Sequence, residues 1–114
     1  MSSAPQTNHR RERRLAARRS TRVICFKGPL GLGANLALAA RDVSEGGICL
    51  VLAEALALGQ EVEIHLESLQ HRRPLKIPGV VVWTRPTDEG PVHVGVRFER
   101  SLPYRELQAL AQLG

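Results

Sequence analysis

Residues 61–67 read Glu-Val-Glu-Ile-His-Leu-Glu, with polar side chains at the odd positions and apolar ones at the even positions. A period of two sends alternate side chains to opposite faces, so this segment is a strand with one buried and one wet face. A strand of that kind needs partners, and the chain supplies them as short apolar runs. Arg22–Phe26, Asn35–Arg41, Gly47–Leu52 and Leu75–Arg85 all read as strands, and Val92, Val94, Val96 and Phe98 line one face of a last one. Turn residues separate them: Gly28 to Gly33, Asp42 to Gly46, and Thr87-Asp88-Glu89-Gly90 as a hairpin. Residues 53–58 fit a single turn. The long Leu75–Arg85 strand is expected to kink near Pro78-Gly79, because proline removes a ladder donor.

Six short strands with glycine and proline turns predict an all-β fold, a small barrel or sandwich, of which we take the six-stranded antiparallel barrel. After the last strand the pattern changes. Ser101 as a cap, Pro103 in the first turn, and Leu107, Leu110 and Leu113 at helical spacing predict a short C-terminal α-helix packed on the sheet. The 114 residues hold one domain. We divide them into a flexible arginine-rich arm, residues 1–20, and the barrel with its helix, residues 21–114.

Charge is concentrated in that arm. The 13 residues from 10 to 22 hold Arg10, Arg11, Arg13, Arg14, Arg18, Arg19 and Arg22 against Glu12, a local balance of +6. Residues 23–114 hold the other 9 of 16 basic and 10 of 11 acidic side chains, a balance of −1. The basic character is therefore local, which implies an anion site rather than a basic surface. Repulsion between the arginines predicts an arm that is mobile until something neutralises it.

Other classes of function find little support. Cys25 and Cys49 have no CxxC spacing and no nearby histidine, so buried free thiols are expected, and neither a disulfide scaffold nor a metal site. His9, His65, His71 and His93 are scattered and read as surface residues. No apolar run approaches the roughly 20 residues of a membrane span, and the N-terminus lacks an apolar signal core. A cytoplasmic protein without membrane insertion is expected. Glu61 and Glu63 share the solvent side of one strand, and Ser44 has no evident histidine partner, so no enzyme and no catalytic residue are expected.

Two motifs remain, in order. Arg18-Arg19-Ser20-Thr21-Arg22 fits RxxxR, and Asp42-Val43-Ser44-Glu45-Gly46-Gly47 fits [D/N]xSxxG. With Val80-Val81-Val82-Trp83 and Val94-Gly95-Val96-Arg97-Phe98 as penultimate and last strands, the pattern over roughly residues 10–114 resembles the PilZ domain, the bacterial receptor module for cyclic di-GMP. Arg10/Arg14, Arg14/Arg18 and Arg18/Arg22 all satisfy RxxxR. We prefer Arg18/Arg22 because Arg22 abuts the first strand, with Arg14 and Arg19 as supplementary ligands.

What the resemblance implies is a second-messenger receptor or adaptor. The binding residues would be Arg18, Arg22, Asp42, Ser44, Gly46 and Gly47, with Trp83 near the ligand although a Val-rich strand alone suggests a core residue. The chemistry agrees. A guanidinium meets guanine O6 and N7 bidentately, and Asp42 and Ser44 accept from N1–H and N2–H. Gly46 and Gly47 allow close backbone approach and unusual dihedrals. As a single domain without an output module, the chain would act through an effector protein, as a monomer or weak homodimer, and with no cofactor other than the ligand. Two other readings stand beside this one: a ligand-independent PilZ-like adaptor that binds only protein, and a small nucleic-acid-binding barrel. The latter calls for surface aromatic clusters that Phe26, Trp83, Phe98 and Tyr104 do not make.

Overall fold

The computed structural model describes residues 15–17, 21–28, 33–67 and 75–107, and the backbone of 108–110. Among them run strands β1 (Leu15–Ala16), β2 (Arg22–Lys27), β3 (Ala37–Val43), β4 (Gly47–Leu52), β5 (Glu61–Glu67), β6 (Leu75–Pro86) and β7 (Val92–Phe98), then helix α1 (Tyr104–Leu110). All ladders are antiparallel, in the order β1-β3-β4-β7-β6-β5-β2.

The architecture is the expected one, all-β with a C-terminal helix, but the strand count is seven. The extra strand, Leu15–Ala16, lies in the segment assigned to the arm and pairs with Val43 and Asp42 of β3. Two residues are too few to carry a periodicity. The sheet curls into a half-barrel, and among the described residues no ladder joins its two ends. Instead, β2 meets the segment entering β3 through Asn35. Its Oδ1 accepts from the backbone N–H of both Cys25 and Ala37 at 2.9 Å, and Leu36 N–H donates to Cys25 C=O at 2.9 Å.

The concave side holds the core. Val62, Ile64 and Leu66 of β5 are buried, as their alternation requires, and meet Ile48, Leu50 and Leu52 of β4, Ile77 and Val81 of β6, and Val92, Val94, Val96 and Phe98 of β7. Leu102 and Leu107 of the C-terminal segment join the same cluster. The helix starts later than a Ser101 cap would place it. Pro103 C=O accepts the first bonds, from Glu106 and Leu107 at 3.0 Å, so Pro103 occupies the capping position.

Two local expectations are corrected. Asp42 belongs to β3, so the turn begins at Ser44. The alternation read through Leu36, Leu38 and Ala40 fails at Leu38, which is exposed, because β3 carries two irregularities against β4, between Ala37 and Ala39 and between Ala40 and Asp42. Each adds one residue on β3, first Leu38 and then Arg41. At Pro78-Gly79, where a kink is expected, the pairing with β5 continues through Glu63↔Pro78 and Val62↔Gly79 in unbroken register. Pro78 C=O accepts from Glu99 N–H at 2.9 Å, so the missing N–H points to the side where β7 has already ended and costs no ladder bond. The irregularity in β6 lies further on, between Val81 and Trp83.

Candidate ligand-binding site

The turn between β3 and β4 is fastened from several sides. Ser44 N–H donates to Gly47 C=O at 2.8 Å, and Ser44 Oγ donates to the same oxygen at 3.3 Å. Glu45 C=O accepts from Leu102 N–H and Gly46 C=O from Phe98 N–H, both at 2.8 Å. Ser44 is 2 % exposed, the one buried polar side chain among the described residues, and its bond across the turn satisfies the hydroxyl that burial would otherwise strand. Its positional role is thus that of a turn former at the edge of the outer face. Neither Gly46 nor Gly47 uses a positive φ. Gly47 is needed for another reason: a Cβ there would stand 2.5 Å from Val96 O of β7, so only glycine lets these backbones approach. The unusual dihedrals expected of the pair are not used.

Register then carries the motif across the sheet. Ala16, Asp42, Cys49, Gly95 and Trp83 lie opposite one another on β1, β3, β4, β7 and β6. Residues opposite in this way share a face, and this is the convex face, since the flanking Ile48, Leu50, Val94 and Val96 are core. Trp83 reaches it only through the β6 irregularity. Val81 is opposite Val96 on the core side, and unbroken pairing would set Trp83 opposite Val94, also inside. One extra residue, the exposed Val82, rephases the strand so that Trp83 faces Gly95. The indole lies directly over Gly95, where a Cβ would overlap the ring.

The next row on the same face is Ala39, Val51, His93 and Arg85. Arg41, the bulged residue before Asp42, reaches across β4 to place Nη1 3.2 Å from His93 Nδ1. The guanidinium carbon of Arg85 is 5.8 Å from the centroid of the Trp83 ring. Sequence reasoning passed over these three residues. One signal was available: with Val92, Val94, Val96 and Phe98 facing in, His93, Gly95 and Arg97 must face out.

Arg22 opens β2, exposed and opposite Glu67. With Ala17, Thr21, Val23, Asn35 and Ala37 to Ala40 it lines a groove of about 460 Å³ between β2 and β3. Arg14, Arg18 and Arg19 lie outside the described residues. Ala17, next to Arg18, donates its N–H to Arg41 C=O at 3.1 Å, so residues 15–17 run along the edge of β3 beside Asp42. Both cysteines are free and buried, and burial pushes the Cys25 thiol up to about 12, which keeps it protonated and unreactive. No group of residues suited to a metal ion occurs among those described, and no helix there is long and apolar enough to cross a membrane.

A family model, described as the PilZ domain, matches residues 8–113. The chain belongs to the PilZ family. The match spans essentially the whole chain and gives it the kind of function this family has, that of a cyclic di-GMP receptor. No curated protein and no solved structure matches the chain significantly. In this PilZ chain the signature residue Asp42 and the candidate Trp83 share one row of the convex face, with Ser44 buried in the adjoining turn and residues 15–17 beside Asp42.

Proposed function

We propose that this PilZ domain binds cyclic di-GMP on the convex face of β3, β4, β7 and β6, and relays its level to an effector protein. The observation that carries the reading is the shared register row. Asp42, an acceptor for guanine N1–H and N2–H, stands on the same row as Trp83, a flat surface for a base, and Ala16 of the arm pairs with Asp42 itself. Three strand spacings separate Asp42 from Trp83, about 14 Å, and the indole over Gly95 shortens the gap. Arg18 and Arg22, entering from the arm, would take the O6 and N7 edge, with Arg14 and Arg19 answering phosphate charge. Binding, not catalysis, is the role, and the site needs no cofactor. The relay would be an ordering step, in which the charge of the ligand offsets repulsion among the arginines and the arm closes on the sheet.

Isothermal titration with cyclic di-GMP, with GTP as control, tests the reading. Saturable heat with the cyclic dinucleotide and none with GTP is expected; no heat with either would leave a protein-binding adaptor. Trypsin digestion of the same samples tests the relay. Cleavage at Arg10 to Arg22 should slow with saturating ligand, and equal rates would rule out ordering of the arm.

A further inference from the structure

We propose that Arg41, His93 and Arg85 form a phosphate-holding row beside the signature residues, so that this chain grips the phosphodiester of its ligand with the sheet as well as with the arm. The inference rests on the cyclic di-GMP reading for the ligand's identity, but the row itself is an anion site on its own geometry.

The row starts from an irregular strand. The second bulge of β3 inserts Arg41 between Ala40, whose partner is Leu50, and Asp42, whose partner is Cys49. Bulges re-aim a side chain, and here the guanidinium crosses β4 to His93 on β7 at 3.2 Å. An arginine can only donate, so His93 Nδ1 accepts and the ring proton resides on Nε2. The imidazole thus offers a further N–H donor. Arg85 is the residue directly opposite His93 on β6, and its guanidinium sits by the Trp83 ring. Two guanidinium groups and an N–H donor therefore follow one another across β3, β7 and β6.

No described carboxylate forms an ion pair with Arg41 or Arg85, and both arginines are exposed. Like charges gathered without a counter-ion repel, and an anion laid across them removes that repulsion while gaining charge-assisted hydrogen bonds. The row lies two residues along the strands from the Asp42–Trp83 row, about 7 Å away. That is the scale separating a base from the phosphate of its own nucleotide, so a guanine held by Asp42 or stacked on Trp83 would bring its phosphodiester to the arginines.

The test uses the full chain and its single tryptophan, Trp83, as reporter. Cyclic di-GMP is titrated into the parent, Arg41→Ala, Arg85→Ala and Arg97→Ala at low and at moderate salt. Arg97 is exposed on the same face, on the far side of the Trp83 row, and serves as control. Loss of one charged hydrogen bond should raise Kd about tenfold or more in Arg41→Ala and in Arg85→Ala, and flatten the salt dependence, while Arg97→Ala stays within about threefold. If both variants bind like the parent with the same salt dependence, the row is overturned. If the parent does not bind the dinucleotide at all, the functional reading fails, and inorganic pyrophosphate decides the row alone. A saturable change in Trp83 fluorescence that disappears in Arg41→Ala and Arg85→Ala supports it, and no change in the parent refutes it.

Discussion

Two stretches of the same convex surface obey the same alternation and differ in what they can hold. On β2 and β5 the outward residues include Phe26, Glu61, Glu63, His65 and Glu67, with His65 between a carboxylate and an aromatic ring. His65 Nε2 is 3.4 Å from Glu63 Oε2, and the imidazole meets Phe26 edge to face at 5.1 Å and 71°. On β3, β7 and β6 the outward residues are Arg41, Asp42, His93, Gly95, Trp83 and Arg85, where a histidine takes an arginine as partner in place of a carboxylate. Strand period fixes only that both sets face out. What differs is the sign of the neighbours and two bulges, one aiming Arg41 and one aiming Trp83, and the anion site proposed above rests on both. The β5 stretch, regular and carboxylate-rich, has neither device.

The comparison breaks most decisively at the signature residues. Arg18→Ala, Arg22→Ala and Asp42→Ala should each weaken cyclic di-GMP binding at least tenfold, because each deletes a charged hydrogen bond worth about 1.5–3 kcal/mol. Titration calorimetry measures the loss, and thermal melts without ligand separate binding from folding. Asp42 is partly exposed and outside the core, so its variant should melt near the parent. A collapse in melting temperature would instead make it a residue that holds the β3 end in place. Parent-like binding by both arginine variants would move the RxxxR register to Arg10/Arg14 or Arg14/Arg18.

A smaller effect is expected at Gly95, where the two stretches differ in backbone. Gly95→Val puts a branched side chain where the Trp83 indole lies. Overpacking of this kind costs about 1–3 kcal/mol, so the melting temperature should fall and Trp83 emission should shift toward that of a solvated indole. Ligand affinity should fall with the displaced ring. Unchanged emission would mean that the indole has room to turn aside, and that the close fit over Gly95 does not hold it in place.

Much of this was legible in the residues. Glu61–Glu67 and Val92–Phe98 announce their buried faces, and the two motifs stand in order, one leading into β2 and one across the turn from β3 to β4. The remainder escaped for stated reasons. β1 is two residues long. Val80-Val81-Val82-Trp83 is apolar throughout, so nothing in it reveals the extra residue that turns Trp83 outward. Leu38 and Arg41 look like ordinary members of an alternating strand until the register of β4 shows two residues facing one. Pro78 promises a kink, yet its missing donor falls past the end of β7. What periodicity leaves open is the slip of register between strands, and in this chain the slips place Arg41 and Trp83 on the convex face.

The smallest effect is expected on the β5 stretch, and it sharpens the contrast most. Glu63→Gln keeps the shape of the side chain and removes the charge beside His65. An ion pair near the surface contributes about 1 kcal/mol or less, so the melt should move by only a few degrees. Cyclic di-GMP affinity should stay within about twofold, because Glu63 and His65 lie opposite Phe26 and Ile24 on β2, and Pro78 and Lys76 on β6, away from the Asp42 row. The measurement is one calorimetric titration beside Asp42→Ala. If Glu63→Gln tightens binding severalfold, long-range repulsion from the β5 carboxylates reaches the site, and the two stretches act as one electrostatic surface. If it weakens binding tenfold, the ligand extends onto β5, and the division between the two stretches is wrong. An unchanged affinity would confine the proposed site to the bulged strands and leave the β5 stretch of the same convex surface outside it.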